Sequence, residues 1–464
     1  MSTASPVQTF LAELEKRVGK STLLTGESDV WAYGQDNSRK HTKPIAVVLA
    51  ENSDQVKETI KLCYEYTIPL TVRGRGTGTA GGAIPSSTGI VLSLERMDKI
   101  VRLDTANRFM QVEAGVLNQA VQDAAAEQGF FWPPDPTSAA YCTVGGNVAV
   151  NSAGPRALKY GTTRDNVLGL KAITGTGDEI HTGVYTTKGV VGYDLTRLII
   201  GSEGTLAVVT EVTLKLVPLP ETKRLLQAIY RDIGSATEAI VAIMGQANIP
   251  HSLEFMDQAS LDMVRDYSSA DLPEGAGAML LIEIDGPQTA IDDIVETISS
   301  AATNLGLISL SKAKTEAEVM ALWATRKALS PALKNVAPNK LNEDVVVPVS
   351  NIPKLVQGLA EISKQFHIPI VNFGHAGNGN LHVNLLYDSQ DPEQEKQARP
   401  CLDRVFDLVL KLDGTLSGEH GIGTEKRDYI DREIDPATLD LMLRIKSQFD
   451  PGNILNPGKI FPVA

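Results

Sequence analysis

Short apolar runs separated by glycine, across residues 45–217, restrict the folds open to this chain more than any other feature. The runs include IAVVLA, GIVLSL, FMQVEAGV and VLGLKAIT, and few helical patterns lie between them apart from the one at 54–66. Many short strands with occasional helices are typical of an α+β domain and not of a regular βαβ series. We therefore expect an α+β fold for this region.

A second α+β region begins after Pro218. Its expected helices and strands lie at 235–245, 278–284, 291–305 and 343–348. A hairpin pattern at 368–387 is followed by a long helix that ends near residue 411. Local signals also predict the first and last helices, because Ser5 and Asp435 each precede a proline at a favoured helix start.

The net charge excludes several classes of partner. The chain has 43 Lys and Arg against 56 Asp and Glu, a formal charge of −13, whereas proteins that bind nucleic acid carry a basic surplus.

The three cysteines are far apart and form no metal-binding pair, which argues against an iron–sulfur cluster. The first residues show no basic segment followed by an apolar core, and no apolar run approaches the length of a membrane span, so we expect neither a signal peptide nor a transmembrane helix. We expect a cytoplasmic protein and leave peripheral association with a membrane open.

The glycines of the loop RGRGTGTAGG satisfy the pattern G-x-G-x-x-G at Gly76, Gly78 and Gly81. A Rossmann dinucleotide site needs a helix directly after this pattern, and Pro85 prevents one. The loop still offers closely approachable backbone N–H groups, which suit a pyrophosphate. Two further glycine-rich stretches at 144–161 and 201–206 indicate one long ligand that lies across backbone.

Three of the seven histidines lie close together near the C-terminus. The turn AGNGN separates His375 from His382, so the hairpin can bring their imidazoles face to face. Glu419 precedes His420 in LSGEHGIG and can add a carboxylate. Two imidazoles and one carboxylate suit a divalent metal and leave coordination positions open for catalysis. Any one of these histidines could instead have a purely structural role.

A basic segment at 326–342 interrupts the acidic chain, with four basic and no acidic residues. Arg326 can grip a carboxylate, Ser330 lies on the same helix face, and Lys340 adds a point charge. The alternative is that these charges lie on a solvent-exposed helix face and bind no ligand. Asn384, two residues after His382, shares that strand face and is a candidate to hydrogen-bond a substrate.

Several motifs in order along the chain resemble those of flavoprotein 2-hydroxy-acid dehydrogenases of the vanillyl-alcohol oxidase type. They are RGRGTGTAGG, PPDPTS, TVGGNVAVNSAG, YGTTRDNVLGL, GSEGTLAVVTEVTLKLVP, HAGNGNLHVN, SGEHGIG and FDPGNILNPGKIF. That family includes D-lactate and D-2-hydroxyglutarate dehydrogenases and the glycolate oxidase flavin subunit. The resemblance implies a two-subdomain FAD-binding domain at 1–217, a cap (substrate) domain with an antiparallel sheet at 218–430, and a segment at 431–464 that returns to the FAD domain.

The resemblance also assigns residues to the cofactor. FAD is expected to bind without a covalent tether, because the glycine loop offers neither His nor Cys. The residues assigned to FAD are Arg73, Gly74, Arg75, Gly76, Thr77, Gly78, Pro134, Asp135, Thr137, Ser138, Gly145, Gly146, Asn147, Asn151, Gly154, Gly161, Glu203, Gly204, Val209 and Asn456.

In the metal-dependent members of the family, the positions matching His375, His382 and Glu419 ligate zinc or a similar ion. The position matching His420 is the catalytic base. We expect zinc, with manganese or iron as alternatives. Arg326, Ser330 and Lys340 resemble a set that binds the distal carboxylate of 2-hydroxyglutarate, although Ser replaces Thr and the spacing to Lys is one residue shorter.

The expected activity is oxidation of a D-2-hydroxy acid, of the D-lactate or D-2-hydroxyglutarate type, to the 2-oxo acid by hydride transfer to FAD N5. The expected partners are the substrate and an electron acceptor, which can be an electron-transfer flavoprotein, a cytochrome or a quinone; a homodimer is also considered.

Two other functions remain open. A metal-dependent hydrolase would use the same two histidines and Glu419 but leaves the glycine-rich stretches unexplained. A non-catalytic flavin-binding subunit of a glycolate-oxidase-like complex is the other.

Overall fold

The computed structural model describes residues 5–265 and 273–462, which form two compact units. The split unit contains the residues up to Gly154, Gly161–Leu219 and the residues from Glu419 onward. The central unit contains Pro155–Tyr160 and Pro220–Gly418. Each unit is described separately below.

The second boundary differs from the sequence expectation, because residues 419–430 belong to the split unit and not to the cap. Hydrogen bonds within the split unit explain this. The Glu203 carboxylate accepts the N–H groups of Ile422 and Gly423 at 2.6 and 2.8 Å. The N–H of Thr424 donates to the carbonyl of Ala80 at 2.9 Å.

The secondary structure of the described residues consists of short strands and helices of four to twenty residues. The strands are β1 (Leu23–Leu24), β2 (Ala46–Leu49), β3 (Leu70–Arg73), β4 (Ile90–Ser93), β5 (Ile100–Asp104), β6 (Phe109–Glu113), β7 (Phe130–Phe131), β8 (Val167–Thr174), β9 (Glu179–Gly183), β10 (Ala207–Lys215), β11 (Val217–Pro218), β12 (Thr222–Tyr230), β13 (Ser252–Asp257), β14 (Ala278–Gly286), β15 (Leu307–Lys312), β16 (Asn339–Val346), β17 (Ile370–His375) and β18 (Asn380–Tyr387). The helices are α1 (Pro6–Val18), α2 (Glu27–Trp31), α3 (Ser53–Tyr66), α4 (Asn118–Ala126), α5 (Val144–Val150), α6 (Ala157–Tyr160), α7 (Leu195–Ile199), α8 (Ile233–Met244), α9 (Gln258–Val264), α10 (Ile291–Ala302), α11 (Glu316–Ala332), α12 (Ile352–Phe366), α13 (Pro392–Lys411), α14 (Ile430–Glu433) and α15 (Pro436–Phe449).

The first sheet of the split unit has the order β1-β2-β4-β3, with β2, β4 and β3 parallel. Helices α1 and α3 pack on it through buried Phe10, Leu14 and Ile60. Ser5 caps α1 in a capping box with Gln8, as the Ser-Pro start predicts. The chain end joins this sheet, because the N–H of Asn456 donates to the carbonyl of Leu70 at 2.8 Å.

The second sheet of the split unit is antiparallel, in the order β5-β6-β10-β8-β9. It has its own core, in which Val112, Trp132 and Val212 are fully buried. Separate sheets with separate cores make two subdomains, which confirms the two-part architecture expected for this region.

The central unit is built on one antiparallel sheet, whose described strands have the order β15-β12-β14-β13-β17-β18-β16. The predicted hairpin is β17 and β18, with Phe373 opposite His382 and His375 opposite Asn380. Strand β13 lies on the other side of β17, and β16 pairs with β18. The expected α+β cap with an antiparallel sheet is confirmed.

None of the helices within residues 5–265 and 273–462 is long and apolar enough to cross a membrane. Helix α13 has 20 residues, but Glu393, Glu395 and Lys411 are among them.

Candidate functional site

The glycine loop after β3 presents a row of unused backbone donors. The N–H groups of residues 74–79 donate to no other described residue, and several of these residues are exposed or half-buried. A Cβ on Gly78 would meet no atom within 4 Å. The chain runs on to β4 without a helix, as the sequence analysis predicted. Open N–H groups beside open space fit a pyrophosphate.

The side chain of Arg73 supports the glycine loop by packing between it and the segment around Gln35. Its buried guanidinium donates to the carbonyl of Gln35 at 2.6 Å and lies 5.7 Å from the centre of the Tyr33 ring. Burial lowers the pKa of Arg73. Gly76 has φ = 65°, and a Cβ there would lie 2.3 Å from Arg73 Nη2, so this turn requires glycine. Arg75 is exposed and lies 4.0 Å from Glu95.

The second glycine-rich stretch forms the short helix α5, which Thr143 caps by accepting the N–H of Gly146 at 3.1 Å. Gly145 packs directly on Ala114: a Cβ at Gly145 would lie 2.8 Å from the Ala114 Cβ. The side-chain amide nitrogen of Asn147 is buried and has no hydrogen-bond partner. A bound cofactor would satisfy this donor, so Asn147 fits the role assigned to it.

Asn456 joins three parts of the split unit. Its Oδ1 accepts the N–H of Val72 at 3.0 Å and a hydrogen bond from Lys459 Nζ at 3.3 Å, and its Nδ2 donates to the Glu203 carbonyl at 2.6 Å. Burial raises the pKa of Glu203 and lowers the pKa of the Lys459 ammonium to about 7, although each side chain partly stabilises the charge of the other. Asn456 therefore supports the strand that leads into the glycine loop.

The remaining residues assigned to FAD also belong to the split unit. They are Pro134, Asp135, Thr137, Ser138, Asn151, Gly154, Gly161, Gly204 and Val209. Two of them are neighbours, since a Cβ on Gly154 would lie 2.6 Å from the Asp135 carbonyl oxygen. Asn151 Oδ1 accepts the N–H of Arg164 at 2.8 Å, which orders the chain after Gly161.

The hairpin of the central unit brings the first two predicted metal ligands together. The ring centres of His375 and His382 lie 5.3 Å apart, with the ring planes at 85°. His375 Nδ1 lies 2.5 Å from Oε1 of Glu254. Because this contact uses Nδ1, Nε2 is the ring nitrogen of His375 that can ligate a metal.

Glu419 and His420 begin the last segment of the split unit, directly after Gly418. Within the central unit, the N–H of Gly418 donates to Oδ2 of Asp344 at 2.9 Å and to the Asp344 carbonyl at 3.0 Å. Asp344 is fully buried and lies opposite His382 in the β16–β18 register. One peptide unit, about 3.8 Å between Cα atoms, separates the anchored Gly418 from Glu419.

The structure brings together only part of the predicted binding site for a substrate carboxylate. Lys340 Nζ lies 3.5 Å from Ser330 Oγ, so the structure brings these two residues together. Arg326, one turn earlier on α11, instead contacts Glu254 through Nε at 2.9 Å and Nη2 at 2.8 Å. Asn384 is fully buried, and its Nδ2 donates to the carbonyls of Val371 and His382. Its Oδ1 is buried and has no hydrogen-bond partner among the described residues.

Sequence reasoning missed Glu254 and Asp344. Both are acidic strand residues beside apolar ones, Glu254 between Leu253 and Phe255 and Asp344 before three valines, and both are at most 1% exposed. A buried carboxylate needs a partner, so an acid beside such apolar residues was the available signal. The partner itself could not be read from the sequence, because Glu254 and His375 are 121 positions apart.

Comparisons with known proteins agree with this organisation. The profile described as "FAD linked oxidases, C-terminal domain" matches residues 219–460, and the profile described as "FAD binding domain" matches residues 44–183. The chain is 40% identical over 430 residues to the glycolate oxidase subunit GlcD of Bacillus subtilis (strain 168), with 92% of each protein covered. It is 34% identical to D-lactate dehydrogenase of Anaerostipes hadrus, with 97% of each covered. It is 31% identical to D-2-hydroxyglutarate dehydrogenase of Xanthomonas citri pv. viticola, with 97% and 96% covered.

Solved structures show the same fold at lower identity. p-Cresol methylhydroxylase with substrate bound matches with a TM-score of 0.80 at 18% identity, over 99% of this chain and 98% of that one. The 4-ethylphenol oxidase of Gulosibacter chungangensis matches with a TM-score of 0.78 at 19% identity, over the same shares. The expected fold is confirmed, and the chain belongs to the FAD-linked oxidase family of the vanillyl-alcohol oxidase type.

Proposed function

We propose that this protein is a FAD- and metal-dependent dehydrogenase that oxidises a small D-2-hydroxy acid to the 2-oxo acid. The proposal rests on the imidazoles of His375 and His382, whose ring centres lie 5.3 Å apart, and on the Glu254 carboxylate that contacts Nδ1 of His375. Glycolate, D-lactate and D-2-hydroxyglutarate, which appear in the names of the relatives, are all 2-hydroxy acids. A metal bound between two imidazoles suits the shared hydroxyl and carboxylate of this class.

The split unit supplies the residues that would hold FAD. The open N–H groups of residues 74–79 would bind the pyrophosphate, and the unpaired amide of Asn147 would donate a further hydrogen bond. Asn456 would hold the backbone beside these groups in place through its hydrogen bonds to the Val72 N–H and the Glu203 carbonyl. When bound, FAD supplies the acceptor for the two electrons of the alcohol. We propose that it binds without a covalent tether.

His375, His382 and Glu419 would hold the metal, for which we propose zinc, with manganese or iron as alternatives. The fit rests on the donor set: Nε2 of His375 is oriented by the Nδ1 contact to Glu254, and Gly418 is anchored one residue before Glu419. A divalent cation supplies positive charge for the substrate's hydroxyl and carboxylate oxygens.

His420 would take the hydroxyl proton. It is covalently adjacent to Glu419, so the backbone that positions one proposed ligand also positions the proposed base. An imidazole is suited to this role because its ordinary pKa lies near neutrality. Lys340 and Ser330, with Nζ and Oγ 3.5 Å apart, would position the acid by its carboxylate.

The electron acceptor would be a second protein or a quinone. The name of one relative, a glycolate oxidase subunit, supports the proposal that this chain works with partner subunits. An electron-transfer flavoprotein, a cytochrome and a quinone are the acceptor classes to test, and a homodimer is the oligomeric state to test.

The experiment is anaerobic mixing of FAD-loaded, zinc-loaded protein with glycolate, D- and L-lactate and D-2-hydroxyglutarate, followed by visible absorbance. We expect at least one D-2-hydroxy acid or glycolate to bleach the flavin. His420→Ala should keep FAD and zinc but reduce the flavin about 10²–10⁴-fold more slowly, which is the usual contribution of a general base. His181→Ala is the matched control, because His181 is an exposed residue that contacts Glu179. Failure of all the acids to bleach fully loaded protein would contradict the proposal.

A further inference from the structure

A carboxylate lies at the centre of the central unit's sheet. Glu254 belongs to β13, between Leu253 and Phe255, and its side chain is 1% exposed. Every residue of β13 is buried. A carboxylate in such a place costs several kcal/mol unless it is paired and hydrogen-bonded on both oxygens.

Both oxygens of Glu254 have partners. Oε1 lies 2.5 Å from His375 Nδ1, and Oε2 lies 2.8 Å from Arg326 Nη2 and 2.9 Å from Arg326 Nε. The guanidinium also lies over the Phe373 ring, 4.9 Å from its centre.

Arg326 by itself would neutralise Glu254, so the contact to His375 on the other oxygen is not needed for charge balance. Its geometric effect is on the imidazole. A carboxylate that accepts the Nδ1–H fixes the tautomer and the rotation of the ring, and it increases the basicity of Nε2. The ring of His375 is held in this way nearly perpendicular to that of His382, at 85°.

We infer that Glu254 is a positioning residue that orients His375 for metal binding, and that Arg326 holds Glu254 in place through its other carboxylate oxygen. The inference rests on the proposed metal site.

The test measures zinc affinity directly and does not depend on turnover. Metal-free protein with FAD bound is titrated with Zn²⁺ against a chromophoric chelator, for wild type and for Glu254→Gln. Removal of a carboxylate that orients a ligand histidine should weaken zinc binding about 10–100-fold. Flavin content and thermal unfolding are recorded for each variant, so that a loss of folding is recognised.

Glu283→Gln is the matched control. Glu283 lies in the same sheet on β14, and its Oε2 is 3.7 Å from Nε2 of a different histidine, His251. This variant removes a longer Glu–His contact that involves no proposed metal ligand, and its zinc affinity should equal that of wild type. Glu254→Asp, which keeps the charge, should recover part of the affinity lost in Glu254→Gln.

A double-mutant cycle with His375→Ala separates orientation of the histidine from a general structural effect. If Glu254 acts through His375, the Glu254→Gln change should have no further effect on zinc affinity once His375 is absent. Equal zinc affinity of wild type and Glu254→Gln would overturn the inference alone. An equal loss in the His375→Ala background would also overturn it. Wild-type protein that binds no zinc or Mn²⁺ would overturn the proposed metal site and the inference with it.

Discussion

Replacing Asn456 by alanine should destabilise the split unit strongly, because one side chain satisfies three buried groups. The change removes the acceptor of the Val72 N–H, the donor to the Glu203 carbonyl and the hydrogen bond from Lys459 Nζ. Each unsatisfied buried group costs about 1–3 kcal/mol, and the left-handed backbone at φ = 43° costs alanine about 1 kcal/mol more. We expect a total loss of about 4–10 kcal/mol in the free energy of unfolding.

The assay is urea unfolding followed by circular dichroism, together with the flavin content of the purified protein. Asn456→Asp keeps the acceptor and should lose less than Asn456→Ala, while Asn456→Gly should fall between them because glycine adopts this backbone without strain. Flavin affinity should fall in the same order, since Val72 leads into the glycine loop. A loss of less than about 0.5 kcal/mol for Asn456→Ala, the range of ordinary surface substitutions, would refute the reasoning.

Two further variants test other parts of the structure. Gly145→Ala places a Cβ 2.8 Å from the Ala114 Cβ and 2.9 Å from its carbonyl oxygen, so we expect a loss of about 1–3 kcal/mol and a lower flavin content, measured by denaturation and absorbance. Unchanged flavin content would contradict the placement of this stretch at the cofactor. In the central unit, burial raises the pKa of Asp285, but hydrogen bonds from His251 and Lys159 outweigh it and lower the pKa well below its usual range. This stabilisation is present above the ordinary Asp pKa of about 4 and is lost as the pH falls, so Asp285→Asn should cost about 3–5 kcal/mol at neutral pH and much less in acid. Parallel stability–pH curves for wild type and variant would contradict it.

Local elements of the fold could be predicted from sequence because their causes are local. Ser5 and Asp435 cap the first and last helices, and the AGNGN turn makes the hairpin that pairs His375 with His382. The absence of a helix after the glycine loop follows in the same way from Pro85. In each case the deciding residues lie within a few positions of the structure they produce.

The contacts of Arg326 could not be predicted in this way. Its position in a basic segment predicted an anion partner, and it does contact a carboxylate, but that carboxylate belongs to Glu254, 72 positions earlier. Sheet order decides this, because β13 pairs with β17 and so brings Glu254 opposite His375. The boundary at Gly418 likewise depends on a distant residue, Glu203, whose carboxylate binds the backbone of 422 and 423.

The most direct test of the proposed function is single-turnover reduction of the bound flavin before and after removal of the metal. FAD-loaded protein is treated with a chelator, its flavin content is confirmed, and it is mixed anaerobically with the most active hydroxy acid. We predict that the metal-free protein keeps its flavin but is not bleached, and that added Zn²⁺ or Mn²⁺ restores bleaching. Bleaching at the same rate without metal, or none by any hydroxy acid with metal and FAD both bound, would contradict the account.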